Sequence, residues 1–124
     1  MLKKSRVQTT LPVQDLSRAR SFYSTKLGLE PLEESPSALT YECSGSRFVL
    51  FPSQGKATGA HTQIGFVVEN IEAEVSELKR KGLTFEEYDF PGLKTENSIA
   101  TTGSSRAAWF KDSEGNLLGV VQLT

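Results

Sequence analysis

The chain has little of most things that would advertise a chemistry. Its 124 residues include one cysteine, one histidine, one methionine and one tryptophan. With Cys43 alone there is no intramolecular disulfide, and a free thiol suits a reducing compartment, so a cytoplasmic location is expected. One histidine, His61, leaves no His-rich set of the kind zinc sites use. Neither sign of charge dominates: 14 Lys and Arg stand against 15 Asp and Glu, for a formal net charge of −1. The basic clusters Lys3-Lys4, Arg18/Arg20 and Lys79-Arg80-Lys81 are isolated and offset by acids, which argues against a nucleic-acid partner. No apolar stretch approaches the roughly 20 residues that cross a bilayer. Met1-Leu2-Lys3-Lys4 has no apolar run behind it, so neither a membrane partner nor a secretory leader is expected. There is no phosphate loop or dinucleotide fingerprint. Cys43 has no His neighbour in sequence, His61 no orienting acid and Glu42 no clear partner, so nucleophilic or acid–base catalysis lacks its paired groups.

What is present is a series of short apolar runs separated by turn residues. Residues 6–13 (RVQTTLPV) alternate as a strand, with Pro12 placing a bulge or an edge near its end. Asp15 is a suitable N-cap for a helix over 16–27, in which Leu16, Ala19, Phe22/Tyr23 and Leu27 recur at helical spacing and Gly28 marks the stop. Runs at 29–32, 38–43 and 47–51 read as a three-stranded meander. A polar connection with two glycines, residues 53–60, follows. A strand at 62–68 then leads to a helix over 71–81, capped by Asn70, with Glu72 and Glu74 in its first turn and three cations in its last, as the helix dipole favours. Gly82 ends it, and a strand begins at 83–88. The Gly/Ser/Thr-rich stretch 91–105 is long for a connection, and one reading makes it a cover carrying Leu93, Lys94 and Ile99 toward a ligand. Last comes a hairpin, Ala107–Phe110 and Leu117–Val121, around Lys111-Asp112-Ser113-Glu114-Gly115-Asn116.

The pattern occurs twice. Gln8, Leu11, Val13, Asp15 and Leu16 recur 55 positions later as Gln63, Phe66, Val68, Asn70 and Ile71, and Gly28 recurs one residue short as Gly82. Strand, cap and helix start share one register, which points to an internal duplication. The expectation is an α+β chain built as a single domain from two βαβββ modules, residues 5–52 and 61–124.

Leu11-Pro12-Val13-Gln14-Asp15-Leu16, Ser21-Phe22-Tyr23 and Leu27-Gly28-Leu29 resemble the opening signature of the vicinal oxygen chelate superfamily, which includes glyoxalase I, bleomycin-resistance proteins, fosfomycin-resistance enzymes and extradiol dioxygenases. Phe110-Lys111-Asp112-Ser113-Glu114-Gly115-Asn116 is similar to its closing F-x-D-P-D-G-N turn, with Ser113 for Pro and Glu114 for Asp. The resemblance covers nearly the whole chain. It implies curved mixed sheets enclosing a cleft, the glyoxalase-like fold, and commonly a homodimer. In the enzymatic members it also implies a divalent metal held by the first and last strand of each module.

Carried over, those ligand positions fall on Gln8, on Val49 (or Leu50 if the register slips), on Gln63 and on Gly119. Two amides, an apolar side chain and a glycine bring no charge to offset a dication. No metal and no cofactor are therefore expected. The cleft would be lined by Gln8, Thr10, Glu42, Val49 or Leu50, Gln63, Val67, Trp109, Lys111 and Gly119, with Gly119 opening space and Trp109 free to stack on a planar ligand. Trp109 as core filling, Lys111 in solvent and Gln8 bonded to Gln63 is the blander reading of the same residues. The reading that follows is a protein binding a small organic molecule without a catalytic metal. Two alternatives stand beside it. One is a divalent-metal-dependent lyase or isomerase of the glyoxalase class with displaced ligands, His61 and Glu42. The other is a dimerisation module with a vestigial cleft.

Overall fold

A computed structural model describes residues 1–123. After a single 3-10 turn, Leu2–Lys4, the first module runs β1 (Thr9–Val13), α1 (Leu16–Leu27), β2 (Glu33–Ser35), β3 (Ala38–Cys43) and β4 (Ser46–Pro52). The second runs β5 (Thr62–Val67), α2 (Ile71–Arg80), β6 (Asp89–Phe90), β7 (Leu93–Glu96), β8 (Ile99–Thr102), β9 (Ser105–Lys111) and β10 (Leu117–Leu123). Each module forms its own mixed sheet, ordered β1-β4-β3-β2 and β5-β10-β9-β8-β7-β6. In both, the first strand lies parallel to the last: Leu11 pairs with Leu50, and Gly65 with Gly119. The fold is α+β with the expected repeat.

The helices sit where their caps place them. Asp15 accepts from the Arg18 amide at 3.0 Å and Asn70 from the Ala73 amide at 3.1 Å, each satisfying one of the free N–H groups of a helix start. Alternation along the strands sends Leu11, Val13, Leu39, Tyr41, Phe48 and Leu50 into one core with Ala19 and Tyr23 of α1, and Ala108, Phe110, Leu118 and Val120 into the same core with Ile71 and Val75 of α2. Tyr41 and Phe48 stack at 5.1 Å, and Phe48 meets Phe66 of the other module edge-on at 6.0 Å.

Four sequence expectations are corrected. β1 starts at Thr9, so Gln8 lies outside the ladder, and the meander's first strand is Glu33–Ser35 rather than 29–32. Residues 83–88 form no strand beyond an isolated bridge from Phe85 to Phe110. The stretch 91–105 is not a loop but part of the second sheet: Asn97 and Ser98 both take positive φ, 53° and 73°, the two-residue turn that suits a hairpin. Ile99 is buried in the core and is not part of a cover.

The closing turn of module two latches onto module one. Asp112 Oδ1 accepts from the amides of Glu114 and Asn116 at 2.8 and 2.9 Å and so shapes the turn from inside. Its Oδ2 accepts from the buried Tyr23 hydroxyl at 2.8 Å. Glu114, whose side chain is fully buried, takes Arg18 in a two-point grip at 2.8 and 2.9 Å, and the amides of Gln14 and Asp15 at 2.9 and 3.0 Å. Asn116 donates to the Pro12 carbonyl at 2.9 Å. The Arg18 bonds, with help from the backbone amides and Ser113, hold the Glu114 carboxyl down at about 2 against its burial. Burial first, and the Asp112 carboxylate second, push the Tyr23 phenol well above its ordinary value.

Candidate functional site

Module one meets the edge of module two beside β5, the outer strand of its sheet. A crevice of about 660 Å³ lies there, lined from one side by Thr9 and the β3–β4 turn region (Cys43, Ser44, Ser46, Arg47, Phe48) and from the other by Gln63 through Val68. Alternation along β5 gives it two characters: Gln63, Gly65 and Val67 face away from the helices, while Ile64, Phe66 and Val68 pack toward the core. Its mouth adjoins a shallower recess of about 650 Å³ lined by Arg6, Val7, Gln8 and Gly45, and Thr9, Ser46 and Arg47 belong to both.

Of the nine residues expected to line a cleft, Gln63 and Val67 border the crevice and Gln8 the adjoining recess. Val67 is 67% exposed at its rim. Glu42 reaches it only through Arg47, which donates to it from Nε at 3.0 Å. Thr10 is exposed on β1. Leu50 is fully buried in the core and lines no cleft, and its neighbour Val49 is 9% exposed. Trp109 and Gly119 are together, but not as an open platform. The indole donates to the Thr62 hydroxyl at 2.9 Å and meets Tyr88 edge-on at 5.5 Å. A Cβ at Gly119 would stand in ordinary contact, 3.5 Å from that indole and 3.4 Å from Thr62, so Trp109 and Thr62 wall the space this glycine opens. Lys111 is exposed and lies 3.8 Å from Glu86. Gln8 and Gln63 do not bond each other.

Arg47 and the serines of the β3–β4 turn went unnoticed in the sequence. The signal for Arg47 is the turn dipeptide Ser44-Gly45: in the structure both residues take positive φ, and the two-residue turn puts Glu42 directly across from Arg47. Nothing in the sequence marks Gly65, whose missing side chain leaves open space at mid-strand.

The fold family's metal can be tested against these atoms. Gln63 spends both ends of its amide within the protein: Nε2 donates to Asn116 Oδ1 at 2.9 Å, and Oε1 accepts from the Leu117 amide at 3.1 Å. Gly119 carries no donor, Val49 is a buried hydrocarbon, and Gln8 lies off the strand. His61 and Glu42 are both exposed. Among the described residues, no three His, Cys, Asp or Glu side chains stand close enough to hold a metal ion. The residues present do not fit the group. Burial pushes the Cys43 thiol up, so it is not a ready thiolate. None of the described helices is long and apolar enough to cross a membrane.

Known structures share this architecture. UcmS2 superposes with a TM-score of 0.73 at 22% identity, over 95% of this chain and 98% of its own. TnmS3, an antibiotic binding protein from Streptomyces sp. CB03234, gives 0.70 at 23% identity, over 97% of each chain. Lactoylglutathione lyase from Agrobacterium tumefaciens gives 0.64 at 22%, over 96% of this chain and 93% of its own. No match was found among curated proteins. At these identities the likeness is one of fold. The profile of the Glyoxalase/Bleomycin resistance protein/Dioxygenase superfamily matches residues 6–120. That span takes in both modules and the latch between them, and the chain belongs to this superfamily.

Proposed function

We propose that this protein binds a small organic molecule in the crevice beside β5, and does so without a catalytic metal, as a sequestering or resistance-type protein. The observation that carries the reading is the commitment of Gln63: the amide at a family ligand position is used to tie β5 to the closing turn. What remains beside it is a space of drug-like size, apolar along Phe66 and Val67 and hydrogen-bonding at Ser44, Ser46 and Arg47. That TnmS3, a protein of the same fold, is an antibiotic binding protein agrees with this use of the scaffold. A homodimer, which the family resemblance implies, is part of the same proposal.

The test is a thermal-shift panel of aromatic metabolites and antibiotics in the presence of chelator, on wild type and on Gly65→Leu. A Cβ at Gly65 meets no atom within 4 Å, and the residue's φ is not in the left-handed region, so a side chain can start into the crevice without backbone strain; the variant should keep the wild-type melting temperature and lose the ligand shifts. A panel with no hits, or hits untouched by the variant, overturns the crevice as the binding site. Stoichiometric divalent metal in protein purified without chelator overturns the metal-free reading and restores the lyase or isomerase alternative. Light scattering at micromolar concentration decides the dimer.

A further inference from the structure

On the helix side of β5 lies a second space, half-enclosed and about 140 Å³ in volume, walled by Leu27 at the end of α1 and Leu29 just beyond it, by Leu78 of α2, and by Phe66, Val68, Phe110 and Val120. Among the described residues, Glu74, exposed on α2, is the one charged side chain that reaches it. Its position is unlike that of the cleft the fold family uses, because it sits between the two helices and the sheets rather than on the open strand faces. Cys43, Phe66 and Val68 line both this chamber and the crevice, so the two spaces adjoin around the edge of β5.

We infer that the chamber is a receptor for one uncharged, benzene-sized group, the apolar end of a ligand whose polar part lies in the crevice. This rests on the crevice reading above and adds a ligand class to it: a small amphipathic molecule with a single ring or branched hydrocarbon terminus. The volume supports that size: a closed cavity of about 150 Å³ lined by aliphatic and aromatic side chains accepts benzene, and this half-open space of about 140 Å³ has a similar capacity. The lining supports the absence of charge. A carboxylate would meet Glu74, and an ammonium pushed deeper would lose its hydration against side chains that cannot replace it. The polar end has its partners outside: Arg47 holds Glu42 through Nε, and among the described residues its two terminal nitrogens bond no protein group.

The chamber is tested apart from the crevice by using benzene alone as the probe, with Cys43 as the reporter. At ten times the dissociation constant, benzene should raise the melting temperature by roughly 5 °C and slow modification of Cys43 by a neutral thiol reagent about tenfold. Val68→Phe, which sends a ring into the chamber from its wall, should abolish both effects while the protein keeps its circular dichroism spectrum. Val68→Ala, which enlarges the chamber, should extend binding to p-xylene. Absence of any benzene effect on wild type overturns the inference, as does a benzene effect that survives Val68→Phe. If benzene is silent while panel ligands still bind and are lost only in Gly65→Leu, the chamber fails and the crevice reading stands. If benzene binds and the panel fails, the crevice reading alone is at fault.

Discussion

Replacing Glu114 by Gln tests the latch that joins the two modules. The glutamine keeps the shape and an acceptor for the Gln14 and Asp15 amides, and removes the charge that Arg18 grips from two sides. The carboxyl's folded value of about 2, against an ordinary 4.5, corresponds to about 3 kcal/mol at pH 7. The sign follows from the direction of the shift. A depressed carboxyl contributes in full above its unfolded value and loses that contribution as pH falls through the folded one. The difference between wild type and E114Q, read by urea unfolding, should therefore be about 3 kcal/mol at pH 7. It should be roughly halved at pH 3 and nearly gone at pH 2. Using the difference cancels the other carboxylates that titrate over the same range. In thermal melts the neutral-pH loss should appear as a fall of roughly 10 °C. A gap below about 0.5 kcal/mol at pH 7, or one that does not shrink on acidification, would refute the assignment of Glu114 as a charged tether.

Tyr23→Phe removes the buried phenol that donates to Asp112 at 2.8 Å. The expected cost is about 1.5–3 kcal/mol by urea unfolding, with the far-ultraviolet circular dichroism spectrum unchanged. Gln63→Leu should lower stability by about 1–2 kcal/mol through loss of its bonds to Asn116 and Leu117, leaving metal content unchanged. An unaltered urea midpoint would mean the amide is free for a ligand after all. Leu50→Ala should cost about 2–5 kcal/mol, as a core residue does; a cost within 0.5 kcal/mol would return Leu50 to a cleft wall.

How much was legible in advance depended on how local the physics is. The caps at Asp15 and Asn70, the stops at Gly28 and Gly82 and the apolar pattern of β1 and β5 are set by neighbours within a few residues, and their doubling exposed the repeat. The hairpin β7–β8 was missed because Asn97-Ser98 is a weak turn signal amid polar residues; burial of Thr95, Ile99 and Ala100 by distant partners completes it. Trp109 shows the same limit. Its neighbours in sequence cannot say whether the indole faces a ligand or is held by Thr62 and Tyr88.

The sequence by itself determined the repeat, the family and the absence of an acidic side chain at the positions the resemblance carries over (Gln8, Val49, Gln63 and Gly119), because these depend only on residue type and spacing. Only the tertiary structure decided what those residues do instead. Gln63 and Glu114 look like polar surface residues along the chain, yet their bonds reach partners some 50 to 100 positions away. The crevice and its apolar chamber likewise arise where two separately built sheets meet, and no local pattern encodes the distance between them.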